Sequence, residues 1–366
     1  MAEESKSKMT YRYLGNSGLK VSVLAIGTML TNYYKKDVEA WMECANAAYE
    51  AGVNYFDTAE IYGMGDGDKM LGESIKKYGW KRDNLVISVK IFSSSPAPTH
   101  NFMSRKHIIE GTKESLKNLG LDYCDLVFSH RPDYQTPLEE TVRAFSWLID
   151  HGYAKYWCTS TWPPALISDA IGICEELGLH KPIADQCQYN MLSRNEVERD
   201  YMNTFESHKY GTTVWSPLAG GLLSGKYNDG NIPEDSRCGK SEAFKGMMWG
   251  PMMGDDIIEQ RKKMFSGLKE IADELSCTQA ELALAWVIVN KDVSTCIFGA
   301  SKISQVDSNV KALEIAEKWT PEIEERINNL LKNEPEMPVH YRTFAPWPAR
   351  RPTRVNYDFK AGVLEQ

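Results

Sequence analysis

The sequence has no excess of basic residues and no long apolar run, and both shortages exclude classes of protein. Its 42 Lys and Arg residues face 50 Asp and Glu residues, so the formal net charge is −8, and the pI is about 5.5. A nucleic-acid-binding protein needs a basic surface that displaces the counterions of the phosphates. The charge balance therefore predicts no nucleic-acid partner.

Membrane-spanning and secreted proteins are also disfavoured. The longest apolar run, residues 282–289, is far below the roughly 20 residues that a membrane-spanning helix needs. Residues 1–9 are polar and charged, without the apolar core of a signal peptide. We therefore predict a soluble intracellular protein located in the cytoplasm.

The eight cysteines form no recognisable pairs. No Cys-x-x-Cys motif occurs, and no His lies at zinc-ligand spacing from a Cys, so the sequence predicts neither a disulfide framework nor a metal site. Several cysteines lie in apolar segments, where a free thiol packs as a small hydrophobic side chain. This usage is typical of a reducing compartment.

Short apolar segments alternate with helical patterns along most of the 366 residues, a length that a single α/β barrel can reach. Strands are predicted at 21–26, 53–57, 85–90, 125–129, 154–159, 183–188, 212–216 and 294–298. Helices are predicted at 38–51, 68–78, 104–119, 138–150, 165–177, 195–208, 257–276, 279–289, 304–317 and 322–331. Eight strands separated by helices are typical of a parallel (β/α)₈ TIM barrel.

A doubly wound sheet is the rival architecture. It would normally carry Gly-x-Gly-x-x-Gly after its first strand, but residues 27–30 read Gly-Thr-Met-Leu. The Gly-Met-Gly-Asp-Gly run at 63–67 has a different spacing, follows the second strand and carries an acid that suits a phosphate poorly. The barrel is therefore the preferred architecture.

Three segments lie outside the repeat. Turn residues at 15–18 predict an N-terminal hairpin, and residues 220–254, rich in Gly, Met and Asp, predict a long irregular insertion after the seventh strand. The predicted domains are a polar leader over 1–9, the barrel over 10–332 and an extended tail over 333–366. Prolines exclude a helix across most of the tail. Its aromatic and arginine residues either wrap it around its own barrel, the interpretation we prefer, or dock it on a partner.

Three successive predicted strands end in polar groups. Asp57 ends the second strand, Tyr62 follows it in the next loop, Lys90 ends the third strand and His130 ends the fourth. The carboxyl ends of barrel strands form the active-site face, so we expect these four side chains to converge. The alternative is that Asp57 caps its strand and pairs with Lys90 at the surface.

The four groups have complementary chemistry. The pKa of a phenol is about 10, and we expect the Lys90 ammonium, held by Asp57, to lower the pKa of Tyr62. Tyr62 would then donate a proton to a carbonyl oxygen. His130 would donate a second hydrogen bond to the same oxygen and orient the substrate. No protein side chain supplies hydride, so a nicotinamide cofactor is required.

The residues around this tetrad resemble the aldo-keto reductase superfamily. Asp-Thr-Ala-Glu-x-Tyr-Gly covers 57–63, Lys-Ile-Phe covers 90–92, and Arg-Pro-Asp follows His130. More closely, the chain resembles the β subunits of voltage-gated potassium channels over roughly residues 10 to 315. The segments that carry this closer match are 76–80, 104–111, 136–144, 156–160, 215–219, 224–227 and 299–301.

The resemblance places the family's catalytic tetrad on Asp57, Tyr62, Lys90 and His130. Channel β subunits generally carry Asn at the fourth position, whereas the more active reductases carry His. His130 therefore favours turnover, and the implied substrate is a small aldehyde or ketone.

The resemblance also implies that NADP(H) binds in an extended form. Ser160 and Gln186 match the positions that hold the nicotinamide carboxamide, and Trp215 matches the aromatic residue on which the nicotinamide stacks. The remaining cofactor positions are Thr28, Gly299, the pyrophosphate contacts Ser216, Leu218 and Lys226, and the adenosine and 2′-phosphate contacts Arg237, Ser301, Gln305 and Asn309.

Some residues depart from the family pattern or have a plainer interpretation. Thr161 replaces a basic residue, Ser308 replaces an acid that contacts the adenine, and Met29 stands where channel subunits have Trp. We expect these changes to affect the affinity for the cofactor and the preference for NADPH over NADH. Trp215 is alternatively a core residue, and Arg237 is alternatively a solvated charge.

Three functions are compatible with these observations. The first is an NADPH-dependent carbonyl reductase, and the second is a regulatory β subunit that binds NADP(H) and docks on a channel as a homotetramer. The third is a structural subunit of a larger complex, anchored by its tail. The sequence does not name the substrate, because specificity in this fold lies in loops such as 93–102 and 220–254.

Overall fold

An antiparallel hairpin begins the computed structural model, which describes residues 9–29, 38–93, 97–254 and 256–336. Strand β1 (Tyr11–Tyr13) pairs with β2 (Lys20–Ser22), as the turn residues predict. The predicted leader up to residue 8 and the predicted tail from residue 337 lie outside the described residues, as do residues 94–96 of the first specificity loop.

The hairpin closes the amino-terminal end of the barrel. Leu14, in its turn, is fully buried with the side chains of the barrel interior. Gly15 has φ +55°, and a Cβ there would lie 2.3 Å from the carbonyl oxygen of Ile183, so the turn contacts the barrel backbone as only glycine can.

Eight parallel strands form a closed barrel, which confirms the predicted fold class and excludes the doubly wound sheet. They are β3 (Leu24–Gly27), β4 (Tyr55–Asp57), β5 (Val86–Ile91), β6 (Cys124–Ser129), β7 (Ala154–Thr159), β8 (Ala184–Asp185), β9 (Gly211–Trp215) and β10 (Thr295–Phe298). Neighbours in the barrel follow chain order, and β10 pairs with β3 to close it.

Helices surround the barrel close to the predicted positions. They are α1 (Val38–Glu50), α2 (Asp66–Tyr78), α3 (Arg105–Leu119), α4 (Leu138–Asp150), α5 (Pro164–Leu177), α6 (Met202–His208), α7 (Arg237–Lys240), α8 (Glu242–Met253), α9 (Ile258–Glu274), α10 (Gln279–Val289), α11 (Ile303–Glu317) and α12 (Pro321–Leu331). Helix α3 illustrates the local signals, because Ser104 caps its first turn through the backbone N–H of His107 and Gly120 ends it at φ +65°.

Three segments differ in detail from the sequence interpretation. The strand predicted over 21–26 is divided between the hairpin strand β2 and the first barrel strand β3. The helix predicted over 195–208 is divided into a π-helical turn, Glu196–Asp200, and the short α6. The insertion after the seventh barrel strand is present, but it contains α7 and α8 and is therefore only partly irregular.

The core consists of two layers. Side chains such as Tyr55, Leu126 and Phe128 fill the barrel interior, and a larger apolar layer lies between the strands and the helices. All eight cysteines carry free thiols, and all but Cys277 are buried. Among the described residues, no helix is both long enough and apolar enough to cross a membrane.

Candidate active site

Three adjacent strands deliver the predicted tetrad to one end of the barrel. Asp57 is the last residue of β4, Lys90 is the penultimate residue of β5, and His130 directly follows β6. Tyr62 lies in the loop between β4 and α2. Because β4, β5 and β6 are consecutive in the barrel, all four residues lie at its carboxyl-terminal mouth.

The Lys90 ammonium is at the centre of the site. Its side chain is fully buried, and Nζ donates hydrogen bonds to Asp57 Oδ2 at 2.5 Å and to the carbonyl oxygen of Thr58 at 2.9 Å. The hydroxyl oxygen of Tyr62 is 3.5 Å from the same nitrogen. The three donors of the ammonium therefore have three acceptors, one of which is the phenol.

The Asp57 carboxylate is held on both oxygens. Oδ1 accepts hydrogen bonds from Ser88 Oγ at 2.7 Å and from Gln186 Nε2 at 3.0 Å, while Oδ2 binds Lys90. Asp57 is 3 % exposed. It is therefore a buried partner of Lys90, and the alternative of a surface ion pair is excluded.

The net shift of the Tyr62 pKa differs from the sequence expectation. The charge of Lys90 does lower the pKa of Tyr62, but burial of the phenol has a larger opposing effect, so its pKa is raised. The expectation was wrong in sign because burial cannot be read from the motif. Tyr62 is consequently protonated at neutral pH, as a proton donor must be.

His130 is a neutral imidazole in this site. Burial, followed by the charges of Lys90 and Arg131, lowers its pKa well below the usual value. Its ring packs edge-on to the Tyr62 ring, with centroids 5.9 Å apart and an interplanar angle of 85°. A neutral imidazole next to the phenol can donate one hydrogen bond to an oxygen that also contacts Tyr62.

The residues proposed to hold the nicotinamide follow β7 and β8. Ser160 and Gln186 are both buried, and Ser160 Oγ donates a hydrogen bond to the Gln186 carbonyl oxygen at 2.9 Å. Through its side chain, Gln186 also contacts Asp57. Thr28, directly after β3, is fully buried and donates a hydrogen bond to Thr58 Oγ1 at 3.0 Å. These residues form one network with the tetrad.

A second group of candidate cofactor residues follows β9. Trp215 ends this strand with a partly exposed side chain, and its indole N–H is buried without a hydrogen-bond partner. Ser216 adopts the left-handed region at φ +56°, which is a strained conformation for a non-glycine residue. Leu218 is partly exposed, Lys226 is exposed, and the Arg237 guanidinium lies 3.8 Å from the centroid of the Phe244 ring.

A third group of candidate cofactor residues follows β10. Gly299 and Ser301 are exposed, and the backbone N–H of Ser301 donates to Gln305 Oε1 at 2.8 Å. Asn309 is 4 % exposed on the second turn of α11. Ser308, which replaces the expected acid, donates a hydrogen bond to Glu281 Oε1 at 2.6 Å, so a carboxylate from α10 reaches this position.

The candidate cofactor residues after β9 and β10 suit a nucleotide with phosphate groups. Lys226 and Arg237 supply positive charge, and α11 begins with no side-chain cap on its first N–H groups, which is a favourable arrangement for an anion. The partly exposed ring of Trp215 offers an aromatic face at the mouth. Thr161 has φ +55°, and no basic side chain occupies its position.

Several further residues of the site were not identified as functional from the sequence. Glu60, Asp68 and His107 are buried behind the tetrad, and Thr58 Oγ1 donates to Asp68 Oδ1 at 2.7 Å. Arg131 donates hydrogen bonds to the carbonyl oxygen of His130 and to Ser160 Oγ. Glu60, His107 and Arg131 lie within the matched motifs, so their positions were visible, but their contacts depend on the tertiary fold.

Comparison with known proteins agrees with this geometry. A model described as the Aldo/keto reductase family matches residues 23–330. Relatives from Arabidopsis thaliana and Oryza sativa subsp. japonica, each named a probable voltage-gated potassium channel subunit beta, are 43% and 41% identical to the chain. Each match covers 91% of this chain and 100% of the relative.

A third relative, named a putative voltage-gated potassium channel subunit beta, comes from Schizosaccharomyces pombe. It is 44% identical over 336 residues, which is 91% of this chain and 96% of that protein. With the family model covering the whole barrel and these identities extending over most of the sequence, the chain belongs to the aldo/keto reductase family.

Proposed function

We propose that the protein is an NADPH-dependent reductase of small aldehydes and ketones, with Tyr62 as the general acid. The observation that carries this proposal is the position of the buried Lys90 ammonium, 2.5 Å from Asp57 and 3.5 Å from the Tyr62 hydroxyl. A protonated phenol next to a buried cation suits the transfer of a proton to a carbonyl oxygen.

The residues divide the work of proton transfer. The O–H bond of Tyr62 breaks as the O–H bond of the product alcohol forms, and the negative charge left on the phenolate lies next to Lys90. Asp57 holds Lys90 in place through Oδ2. His130, neutral because of its lowered pKa, donates a hydrogen bond to the substrate oxygen and orients it. The bound nicotinamide supplies the hydride.

The preference for NADPH follows from charge. Lys226 and Arg237 lie in the segment after β9, where cations would favour the extra phosphate of NADPH over the ribose hydroxyl of NADH. Ser301, Gln305 and Asn309 would hold the adenosine at the start of α11.

The test compares Tyr62→Phe with the unchanged protein on a panel of aromatic aldehydes. The near-ultraviolet absorbance of NADPH reports turnover. We expect kcat to fall by about 10²–10⁴-fold, the usual contribution of a general acid, while NADPH binding measured by fluorescence is retained. Tyr134→Phe is the matched control, because Tyr134 is 76% exposed. Equal rates for the unchanged protein and Tyr62→Phe would contradict the proposal.

A second proposed function is that of a regulatory β subunit on a voltage-gated potassium channel, with the chain assembled as a homotetramer. The channel role is supported by the names of three relatives that match the chain over most of its length. The two functions are compatible, because the same barrel can reduce a carbonyl and report the redox state of its nicotinamide.

Co-expression with a voltage-gated potassium channel subunit tests this second function. We expect the two chains to co-purify, and light scattering of the isolated protein to give the mass of four copies. A free monomer that does not associate with the channel subunit would count against it, whatever its reductase activity.

A further inference from the structure

A buried carboxylate joins the two segments that carry Lys90 and Tyr62. Glu60, in the loop between β4 and α2, is 4% exposed, and its Oε1 accepts the backbone N–H of Phe92 at 2.5 Å. The backbone N–H of Glu60 donates in turn to the carbonyl oxygen of Lys90 at 3.1 Å. Glu60 thus holds the end of β5 on both sides of Ile91, the residue that follows Lys90.

A histidine from a helix completes this arrangement. Nε2 of His107, on the first turn of α3, lies 3.0 Å from the same Oε1 of Glu60, and His107 is 2% exposed. The backbone of His107 is fixed by its hydrogen bond to the Ser104 side chain. The Glu60–His107 pair, called the clamp below, therefore attaches α3 to the loop that leads to Tyr62.

The clamp is an unfavourable choice for stability alone. The second carboxylate oxygen, Glu60 Oε2, is buried without a hydrogen-bond partner. A Cβ at Gly111 of α3 would lie only 2.9 Å from it, so the helix backbone closes over the carboxylate. A buried carboxylate oxygen without a hydrogen-bond partner destabilises a fold, so Glu60 holds Phe92 and His107 at a cost in stability.

We propose that Glu60 and His107 are positioning residues that set the distance between the Lys90 ammonium and the Tyr62 hydroxyl. The inference rests on the proposed reductase function. Tyr62 follows Glu60 by two residues, and its backbone N–H bonds to the carbonyl oxygen of Ala59 at 2.9 Å, so the loop is tightly turned between them. Releasing Glu60 from Phe92 frees this loop to move away from β5 and lengthens the 3.5 Å contact.

Kinetics of substituted proteins test the role. Glu60→Leu removes the acceptor, whereas Glu60→Gln keeps a side-chain oxygen at the same reach. We expect Glu60→Leu to lower kcat by about 10²-fold, since a displacement of 1 Å can have that effect, with KM and NADPH affinity unchanged. Glu60→Gln should retain most of the activity. His107→Phe should fall between them, because Phe92 still binds Glu60. Glu110→Leu is the control, since Glu110 is an exposed acid on α3.

Hydrogen exchange gives a readout that does not need turnover. In Glu60→Leu the amide of Phe92 should exchange faster, whereas Glu60→Gln and Glu110→Leu should leave its exchange rate unchanged. Faster exchange in Glu60→Leu would support the hydrogen bond from Phe92 to Glu60. If the unchanged protein then has no reductase activity, the proposed function is rejected although this contact exists. Unchanged exchange, or unchanged kcat despite faster exchange, would overturn the positioning role. If Glu60→Leu does not fold, the kcat of His107→Phe decides, and a kcat equal to that of the unchanged protein would overturn the positioning role.

Discussion

Removal of the Lys90 ammonium should strongly destabilise the protein. Lys90→Met leaves the Asp57 carboxylate buried without its cation, and such a change typically destabilises by about 3–5 kcal/mol. We expect that loss in the free energy of unfolding measured by urea denaturation. Lys69→Met is the control, because the Lys69–Asp66 pair is exposed and such pairs contribute at most about 1 kcal/mol. Similar losses for both variants would contradict the prediction.

Asp185, fully buried at the end of β8, gives a pH dependence with a defined sign. Burial raises its pKa to about 6 from 3.8, although Thr159 and the backbone N–H groups of Thr161 and Trp162 bind the carboxylate. The unfolded chain therefore loses this proton at lower pH than the folded protein. Stability from Asp185 is fully present below pH 3.8 and is lost as the pH rises through about 6.

Asp185→Asn tests this contribution. The shift corresponds to roughly 3 kcal/mol, so the decline in unfolding free energy between acidic and neutral pH should become smaller by about that amount. Urea denaturation over a pH series measures the slope. The slope should not vanish, because burial also raises the pKa of Asp68 to about 6 and of Glu196 to about 7. An unchanged slope would show that folding does not raise the pKa of Asp185.

At single-residue resolution, the sequence supports predictions about strand ends better than about contacts. Asp57, Lys90 and His130 were identifiable because each lies at the carboxyl end of an apolar strand, and parallel strands of a barrel end on the same face. The Glu60–His107 contact joins a loop to a helix 47 residues away, and no periodicity indicates it. The net pKa shift of Tyr62 depends on burial, which only the assembled barrel defines.

Strand and helix positions were largely predictable because Gly caps, N-cap residues and apolar periodicity agree in most elements. Helix α8 was one of the exceptions. Its two glycines and Pro251 disfavour a helix, and the sequence interpretation was an irregular insertion. In the structure, Ser241 caps α8 through Phe244, and Trp249 packs against Tyr227. Tertiary packing outweighs local propensity there.

Two helical glycines should respond to alanine with opposite signs. A Cβ at Gly72 of α2 would lie 2.3 Å from the carbonyl oxygen of Leu119 in α3, so Gly72→Ala should destabilise by about 1–3 kcal/mol through overpacking. At Gly172 of α5 a Cβ meets nothing within 4 Å, so Gly172→Ala should stabilise by about 0.5–1 kcal/mol. Denaturant titration of both variants checks this, and a shift of the same sign would contradict it.

For the whole molecule, the matched family region, residues 23–330, spans all eight barrel strands, and the hairpin strands β1 and β2 lie before it. The predicted leader and most of the predicted tail lie outside the described residues, so their roles stay predictions. The barrel was predictable from the strand count together with the absence of a Gly-x-Gly-x-x-Gly fingerprint after the first strand. The oligomeric assembly was not predictable, because it depends on surface residues that follow no periodic pattern in the sequence.

Cofactor binding should appear as a gain in the stability of the whole barrel. A ligand that binds only the folded protein at about 100 times its Kd adds about 3 kcal/mol to the free energy of unfolding. We expect that gain with NADPH and a smaller one with NADH at the same concentration, because we propose that Lys226 and Arg237 bind the additional phosphate. Arg237→Met should reduce the difference between the two cofactors in thermal denaturation, whereas Arg143→Met, on α4 and paired with Glu139, should preserve it. Equal stabilisation of the unchanged protein by NADPH and NADH would remove the 2′-phosphate role from Arg237.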